Sequence, residues 1–367
     1  MKARAPATHG GGVMADTAEN PLGLNGFEFV EFTSPQPEVM EHLFERLGFT
    51  AYSKHPSKEL VRYKQGGINL LINREASGQA AEFRAEHGPS ASGMAFRVAN
   101  ARTAYEMALE RGAKAADPER GSLGEGSYVL EGIGGSLLYL VDRHGEKGTL
   151  YDSWQEIPGA EAAEAKNSVG LETLDHLTHN VRRGQMRTWS SFYNRIFGFT
   201  EQKYFDIKGQ ATGLFSQAMI APDKAIRIPL NESQDDKSQI EEFIRQYKGE
   251  GIQHLALTTP DIYDTVERLR ARGVVLQDTL ETYYDLVDKR VPKHGEDLAR
   301  MRKNRILIDG SEEEGLLLQI FTENLFGPIF FEIIQRKGNE GFGNGNFQAL
   351  FESIELDQIR RGVIKVD

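Results

Sequence analysis

Three side chains in the second half of the chain, His176, His254 and Glu332, are of the types that hold a transition metal. Two imidazoles and one carboxylate on one side of an ion leave coordination positions open. That set suits iron(II), which must take both a substrate and dioxygen, and disfavours a closed structural zinc site. With no cysteine in the chain, disulfides, zinc–thiolate sites, iron–sulfur clusters and thiol nucleophiles are excluded. A charged Glu332 between Phe330, Phe331, Ile333 and Ile334 is costly to bury unless a cation faces it. Two competing readings stand beside this one. His179 is a rival for the first ligand, although in a regular strand it points away from His176. Glu332 could instead pair with an arginine. His9, His42, His55, His87, His144 and His294 read as solvated leader, helix or loop residues.

The elements that must position these groups repeat. "GFEFVEF" (Gly26 to Phe32) followed by "MEHLFERLGFT" has the same strand–loop–helix form as "LDHLTHNV" (Leu174 to Val181) followed by "WSSFYNRIFGFT". "GMAFRVANARTAYEMALERGA" (Gly93 to Ala113) aligns without gaps on "HLALTTPDIYDTVERLRARGV" (His254 to Val274), and both predicted helices stop at a glycine, Gly112 or Gly273. "GSLLYLVDRHG" matches "PIFFEIIQRKG". At equivalent positions the first half has Gly93 for His254 and Tyr139 for Glu332, and its first strand has no histidine.

The expected fold class is therefore α+β: two similar domains, each of paired βαβββ modules forming a curved half-barrel sheet with helices outside. Within that frame residues 1–24 read as a disordered leader and 25–155 as an N-terminal domain without the ligand set. Residues 156–170 read as a linker, and 171–367 as the metal-bearing domain. Alternation puts Ile252, His254 and Ala256 on one face, with Gln253 opposite. Residues 282–295 read as a long irregular loop. The segments 213–221, 226–231 and 316–322 read as strands. In the tail Phe347, Leu350, Phe351 and Ile354 share a helical face.

Composition bounds the partners. At 367 residues with 39% hydrophobic and 26% charged residues, the chain is long enough for two cores. A net charge of -11 argues against nucleic acid or an anionic membrane as partner. No apolar run is long enough to span a bilayer, and the leader lacks the apolar stretch of a signal peptide, so cytoplasmic residence is the default expectation.

At these residues a family resemblance enters. "TLDHLTHNV", "YFDIKGQATGL", "RIPLNE", "GEGIQHLAL" and above all "GPIFFEIIQRKGNEGFGNGNFQALFESIE" resemble the 4-hydroxyphenylpyruvate dioxygenase family, over Leu24 to Val363. The resemblance implies the vicinal-oxygen-chelate fold with a metal-free N-terminal domain. It also implies one Fe(II) per chain on His176, His254 and Glu332, and conversion of 4-hydroxyphenylpyruvate and O2 to homogentisate and carbon dioxide. The family's substrate pocket carries over to Ser216, Pro229, Asn231, Gln239, Gln253, Gln319, Phe321, Phe330, Phe342 and Phe347. A C-terminal lid helix beginning near Phe347, hinged on the preceding glycines, and a homo-oligomer (dimer or tetramer) belong to the same expectation. The rivals are 4-hydroxymandelate synthase on the same substrate, extradiol dioxygenases of the same fold, and a non-catalytic ligand-sequestering protein that would not need the triad.

Overall fold

The computed structural model describes residues 20–208, 212–343, 345–346, 348, 355, 358–359 and 361–364. The first half runs β1 (Leu24–Thr33), α1 (Pro37–Arg46), β2 (Thr50–Lys54), β3 (Leu60–Gln65), β4 (Ile68–Asn73), α2 (Gln79–His87), β5 (Ser90–Val98), α3 (Ala101–Glu110), β6 (Tyr128–Glu131), β7 (Leu137–Val141), β8 (Gln155–Glu156) and α4 (Ala160–Asn167). The second half runs β9 (Leu174–Val181), α5 (Met186–Phe197), β10 (Thr200–Lys208), β11 (Gly213–Ile220), β12 (Arg227–Ser233), α6 (Gln239–Tyr247), β13 (Gly251–Thr258) and α7 (Ile262–Ala271). It continues with α8 (Glu281–Asp285), α9 (Val287–Arg290), α10 (Leu298–Asn304), β14 (Leu307–Ser311), β15 (Gly315–Phe321) and β16 (Phe330–Lys337).

Local chemistry accounts for the helix boundaries. Asn100 caps α3 by accepting from Thr103 N, and Asp261 caps α7 by accepting from Tyr263 N and Asp264 N. Both chains then turn at a left-handed glycine, Gly112 at φ 90 and Gly273 at φ 74. Ile262, Val266 and Leu269 form the buried stripe of α7.

The duplication is visible in the pairing. The strands assemble into two eight-stranded sheets, ordered β6-β7-β5-β1-β4-β3-β2-β8 and β10-β11-β12-β9-β13-β16-β15-β14. Read in opposite directions, the two orders coincide apart from one added strand each, β8 and β14. In both, the two modules meet at a central antiparallel pair, β1 with β5 and β9 with β13. Register makes the equivalence exact to the residue. Phe29 opposes Ala95, which opposes Tyr139; His176 opposes Ala256, which opposes Glu332. Phe29, Gly93 and Tyr139 thus stand where the second half has His176, His254 and Glu332. The Phe29 and Tyr139 rings pack 5.4 Å apart, and a Cβ on Gly93 would meet the Tyr139 ring at 3.3 Å. Aromatic packing closes the first half-barrel where the second holds polar groups.

Three segments differ from expectation. Residues 20–24, read as leader, belong to the fold: Leu22 is buried and Asn20 exchanges hydrogen bonds with Leu24. The connector 156–170 carries the end of β8, which pairs with β2, and the helix α4, because its Ala- and Glu-rich run has high helix propensity. Residues 282–295 contain helical turns, with Tyr284 and Val287 buried beneath them. The apolar face expected of Phe347, Leu350, Phe351 and Ile354 lies outside the described residues, and so does most of the lid helix.

Candidate metal centre

The three chemistry-bearing side chains converge inside the second sheet. They come from β9, β13 and β16, which are adjacent in it. One donor atom each from His176, His254 and Glu332 lies within 4.8 Å of the others. Glu332 Oε2 is 3.2 Å from His176 Nε2 and 3.4 Å from His254 Nε2. All three residues are buried. His179 takes the other face of β9 and bonds the Tyr193 hydroxyl at 2.7 Å on α5, so the rival first ligand is turned away. Simple alternation fails on β13. A bulge between Ile252 and His254 leaves Gln253 unpaired in the ladder with β9. Ile252 then packs into the helix-side core, and Gln253 and His254 are neighbours, with Gln253 Oε1 3.1 Å from His254 Nδ1.

Hydrogen bonds fix which nitrogen of each imidazole is offered. Asp175 is an acceptor, 2.8 Å from His176 Nδ1, and Gln253 Oε1 is likewise an acceptor for His254 Nδ1. Both rings therefore donate from Nδ1 and turn Nε2 inward, the arrangement by which metal-bound histidines are oriented. Asp175 is clamped in turn by two bonds of 2.8 Å from Arg336 and one of 3.3 Å from Arg227. On Glu332, Oε1 accepts from Gln319 Nε2 at 2.5 Å, leaving Oε2 for the centre. Gln319 Oε1 accepts from Asn346 Nδ2, and Asn346 Oδ1 accepts from the Tyr283 hydroxyl, both at 2.8 Å.

Electrostatics match that geometry. Burial by itself would raise the Glu332 carboxyl, but the facing imidazoles outweigh it and hold it at about 2. Burial pushes His176 down, yet Glu332 and Asp175 beside it bring it above its usual value. His254 falls, because burial dominates there. His179, buried without a carboxylate, is pushed down to about 3. Negative charge is thus concentrated on one oxygen facing two inward nitrogens, a donor set of hard oxygen and imidazole that fits a divalent metal.

A cavity of about 20 Å³ lies against the triad, lined by His176, Thr178, Phe205, Ser216, Ala218, Pro229, His254, Gln319, Phe321, Glu332 and Phe342. A separate cleft of about 700 Å³ has a lining that includes Gln239, Gln253 and Phe330. Phe330 stacks on His254 with ring centres 4.7 Å apart, and Phe342 packs edge-on to His176 at 5.6 Å.

Sequence comparison now gives the kinship. Residues 18–155 match the family described as "Hydroxyphenylpyruvate dioxygenase, HPPD, N-terminal", and residues 173–286 match the glyoxalase/bleomycin resistance protein/dioxygenase superfamily. A 4-hydroxyphenylpyruvate dioxygenase of Pseudomonas aeruginosa is 58% identical over 351 residues, covering 94% of this chain and 97% of that protein. The chain belongs to the 4-hydroxyphenylpyruvate dioxygenase family. Hemolysin VllY of Vibrio vulnificus, 57% identical over 95% of this chain and 98% of its own, is a further relative. Among solved structures, a triple mutant of 4-hydroxymandelate synthase from Streptomyces coelicolor superimposes with a TM-score of 0.79 at 25% identity, covering 92% of this chain and 99% of that one.

Against the expectations for a 4-hydroxyphenylpyruvate dioxygenase, the pocket residues divide. Ser216, Pro229, Gln319, Phe321 and Phe342 line the cavity at the triad. Gln239 at the start of α6, Gln253 at the bulge and Phe330 at the start of β16 line the separate cleft instead. Asn231 shares the inward face of β12 with Pro229; it is buried, and its Oδ1 has no partner. Phe347 lies outside the described residues. Of the histidines read as solvated, His87 is buried: its Nδ1 is 2.6 Å from Tyr247 O, and its ring stacks on that tyrosine. Sequence reasoning missed Asp175, Thr178, Phe205, Arg336 and Asn346. Asp175 was accessible as the acidic neighbour of a candidate ligand. Asn346 was not, since its partner Gln319 is distant in the chain.

Proposed function

We propose that this chain is an iron(II)-dependent 4-hydroxyphenylpyruvate dioxygenase, converting 4-hydroxyphenylpyruvate and dioxygen to homogentisate and carbon dioxide. The observation that carries this reading is the convergence of His176 Nε2, His254 Nε2 and Glu332 Oε2 on one buried point beside an aromatic-lined cavity. Residues 171–367 form the catalytic domain, and 25–155 its metal-free counterpart.

Iron bound there supplies open coordination positions for the 2-oxo acid of the substrate and for dioxygen. The protein's part is positioning. Asp175 and Gln253 accept from Nδ1 of the two imidazoles and so leave Nε2 for the metal, and Gln319 aims the carboxylate. Phe321 and Phe342 flank the ring, while Ser216 and Asn231 offer polar contacts at its far end. Burial of the whole set excludes water from reactive species. A cavity of about 20 Å³ holds a water rather than an aromatic ring, so admission of substrate requires the wall to move. Phe342 belongs to the glycine-rich segment that forms part of that wall. Cytoplasmic residence and a dimeric or tetrameric state belong to this proposal, to be checked by cell fractionation and by light scattering.

The test is anaerobic loading with iron(II) followed by 4-hydroxyphenylpyruvate. A visible charge-transfer band reports chelation, and admitting oxygen then yields homogentisate. If chromatography and mass analysis find 4-hydroxymandelate instead, the synthase reading replaces this one. Ligand binding that survives Glu332→Ala, with no product at all, would favour the sequestering protein.

A further inference from the structure

Among the described residues, one side chain has both of its polar atoms buried and unpartnered. Neither Oδ1 nor Nδ2 of Asn180 has a hydrogen-bond partner, and the residue is 0% exposed. An amide in that condition costs free energy at both ends unless something else satisfies it.

Its direction follows from the strand. On β9, Leu177 and Val181 lie in the helix-side core, and His179 bonds Tyr193 on that same side. His176 and Thr178 line the cavity. Asn180 continues the second set, two residues beyond Thr178. Across the sheet it opposes Asn231 on β12 and Gly251 on β13, and Asn231 opposes Ser216 on β11. One inward row thus reads Ser216, Asn231, Asn180, and the last two carry orphaned amide oxygens. On the far side of Asn180, Gly251 is backed by the Tyr247 ring, 2.5 Å from where its Cβ would stand. The row lies about 13 Å along the strand from His176, the scale of an arylpyruvate reaching outward from a metal ligand.

We propose that Asn180 is a further substrate-positioning residue, whose amide engages the phenol hydroxyl of the substrate together with Asn231. The proposal rests on the function proposed above and deepens it. An amide supplies both donor and acceptor, which matches a phenol that can donate and accept.

The test pairs a substitution with a change in the ligand. Wild type, Asn180→Leu and Asn180→Ala are loaded anaerobically with iron(II) and titrated with 4-hydroxyphenylpyruvate and with phenylpyruvate, which lacks the phenol oxygen. The charge-transfer band reads affinity. Both variants are expected to weaken 4-hydroxyphenylpyruvate about three- to tenfold, the range of one neutral hydrogen bond, and to leave phenylpyruvate unchanged. Asn180→Leu, close to isosteric, is expected to melt at or above the wild-type temperature, because it removes an unsatisfied amide. Equal effects on the two ligands, or no effect on either, overturns the proposal. So does a Leu variant that loses stability while Asn180→Ala binds both ligands normally, since Asn180 would then be only structural. Absence of a band with either ligand in the wild type removes the underlying reading, and this one with it.

Discussion

His176 and Glu332 sit close enough that a proton and a metal compete for the same pocket. Without metal, His176 is held above its usual value of 6.5. The imidazolium–carboxylate pairing therefore stabilises the metal-free protein fully below pH 6.5, and is lost as pH rises through the raised folded value. Iron needs the neutral ring, so its apparent affinity falls about tenfold per pH unit below that same value. Melting curves between pH 6 and 9 should accordingly move in opposite directions, downward with pH for the metal-free protein and upward with iron present. Parallel movement would contradict the assignment. Asp175→Asn keeps the shape but weakens the acceptor that orients His176, and iron affinity measured by chelator competition should drop about 10- to 100-fold. His179→Phe, by contrast, should leave iron affinity unchanged. It should cost about 1–3 kcal/mol of stability by denaturant titration, because it strands the Tyr193 hydroxyl.

Elements rather than residues decide how the ligands are aimed. On β13 a single unpaired residue, Gln253, brings two consecutive side chains together, which no period-two reading of "GIQHLAL" would predict. The segment after β16 has a comparable constraint. Gly343 adopts φ +66, and a Cβ there would collide with Gln319 Oε1. Gly343→Ala should push the amide that aims Glu332, lowering both iron affinity and turnover while far-UV circular dichroism stays unchanged. Normal iron binding in that variant would show that Gln319 does not control the carboxylate. The repeated strand–loop–helix units and the glycine stops of α3 and α7, Gly112 and Gly273, were legible, because apolar period and turn residues are local signals. The helical turns within residues 282–295 were not, since Tyr284 and Val287 are buried by tertiary contact, and nothing in their spacing announces it.

At the scale of the molecule, the two halves share one core. Phe32 and Phe44 of the first half pack against Phe326 and Phe331 of the second, with Phe32 and Phe326 ring centres 5.4 Å apart and Phe44 and Phe331 6.4 Å apart. Removing such a ring leaves a cavity that close packing cannot refill. Phe331→Ala should cost about 3–5 kcal/mol, and the loss should appear as an earlier but still single unfolding transition by both fluorescence and circular dichroism. Two separated transitions would mean that the halves are energetically independent. The first half then serves as a packing partner for the half that holds the triad, with Phe29 and Tyr139 packed together where the second half has His176 and Glu332.

The sequence by itself determined the duplication, the strands that carry His176, His254 and Glu332, and the family. Each of these is written in local pattern, motif or repeat, and needs no distant contact to be read. Tertiary structure alone decided that the three donors face one another, that Gln253 stands beside His254 rather than opposite it, and that Asp175, Gln319 and Asn346 stand behind the ligands. The physical reason is that a strand's period fixes which face a side chain takes only while the ladder is regular. Partners brought together across the sheet are separated in the chain by 13 residues for Gln319 and Glu332 and by 161 for Asp175 and Arg336, so neither a bulge nor a cross-strand hydrogen bond leaves a mark in any short window of sequence.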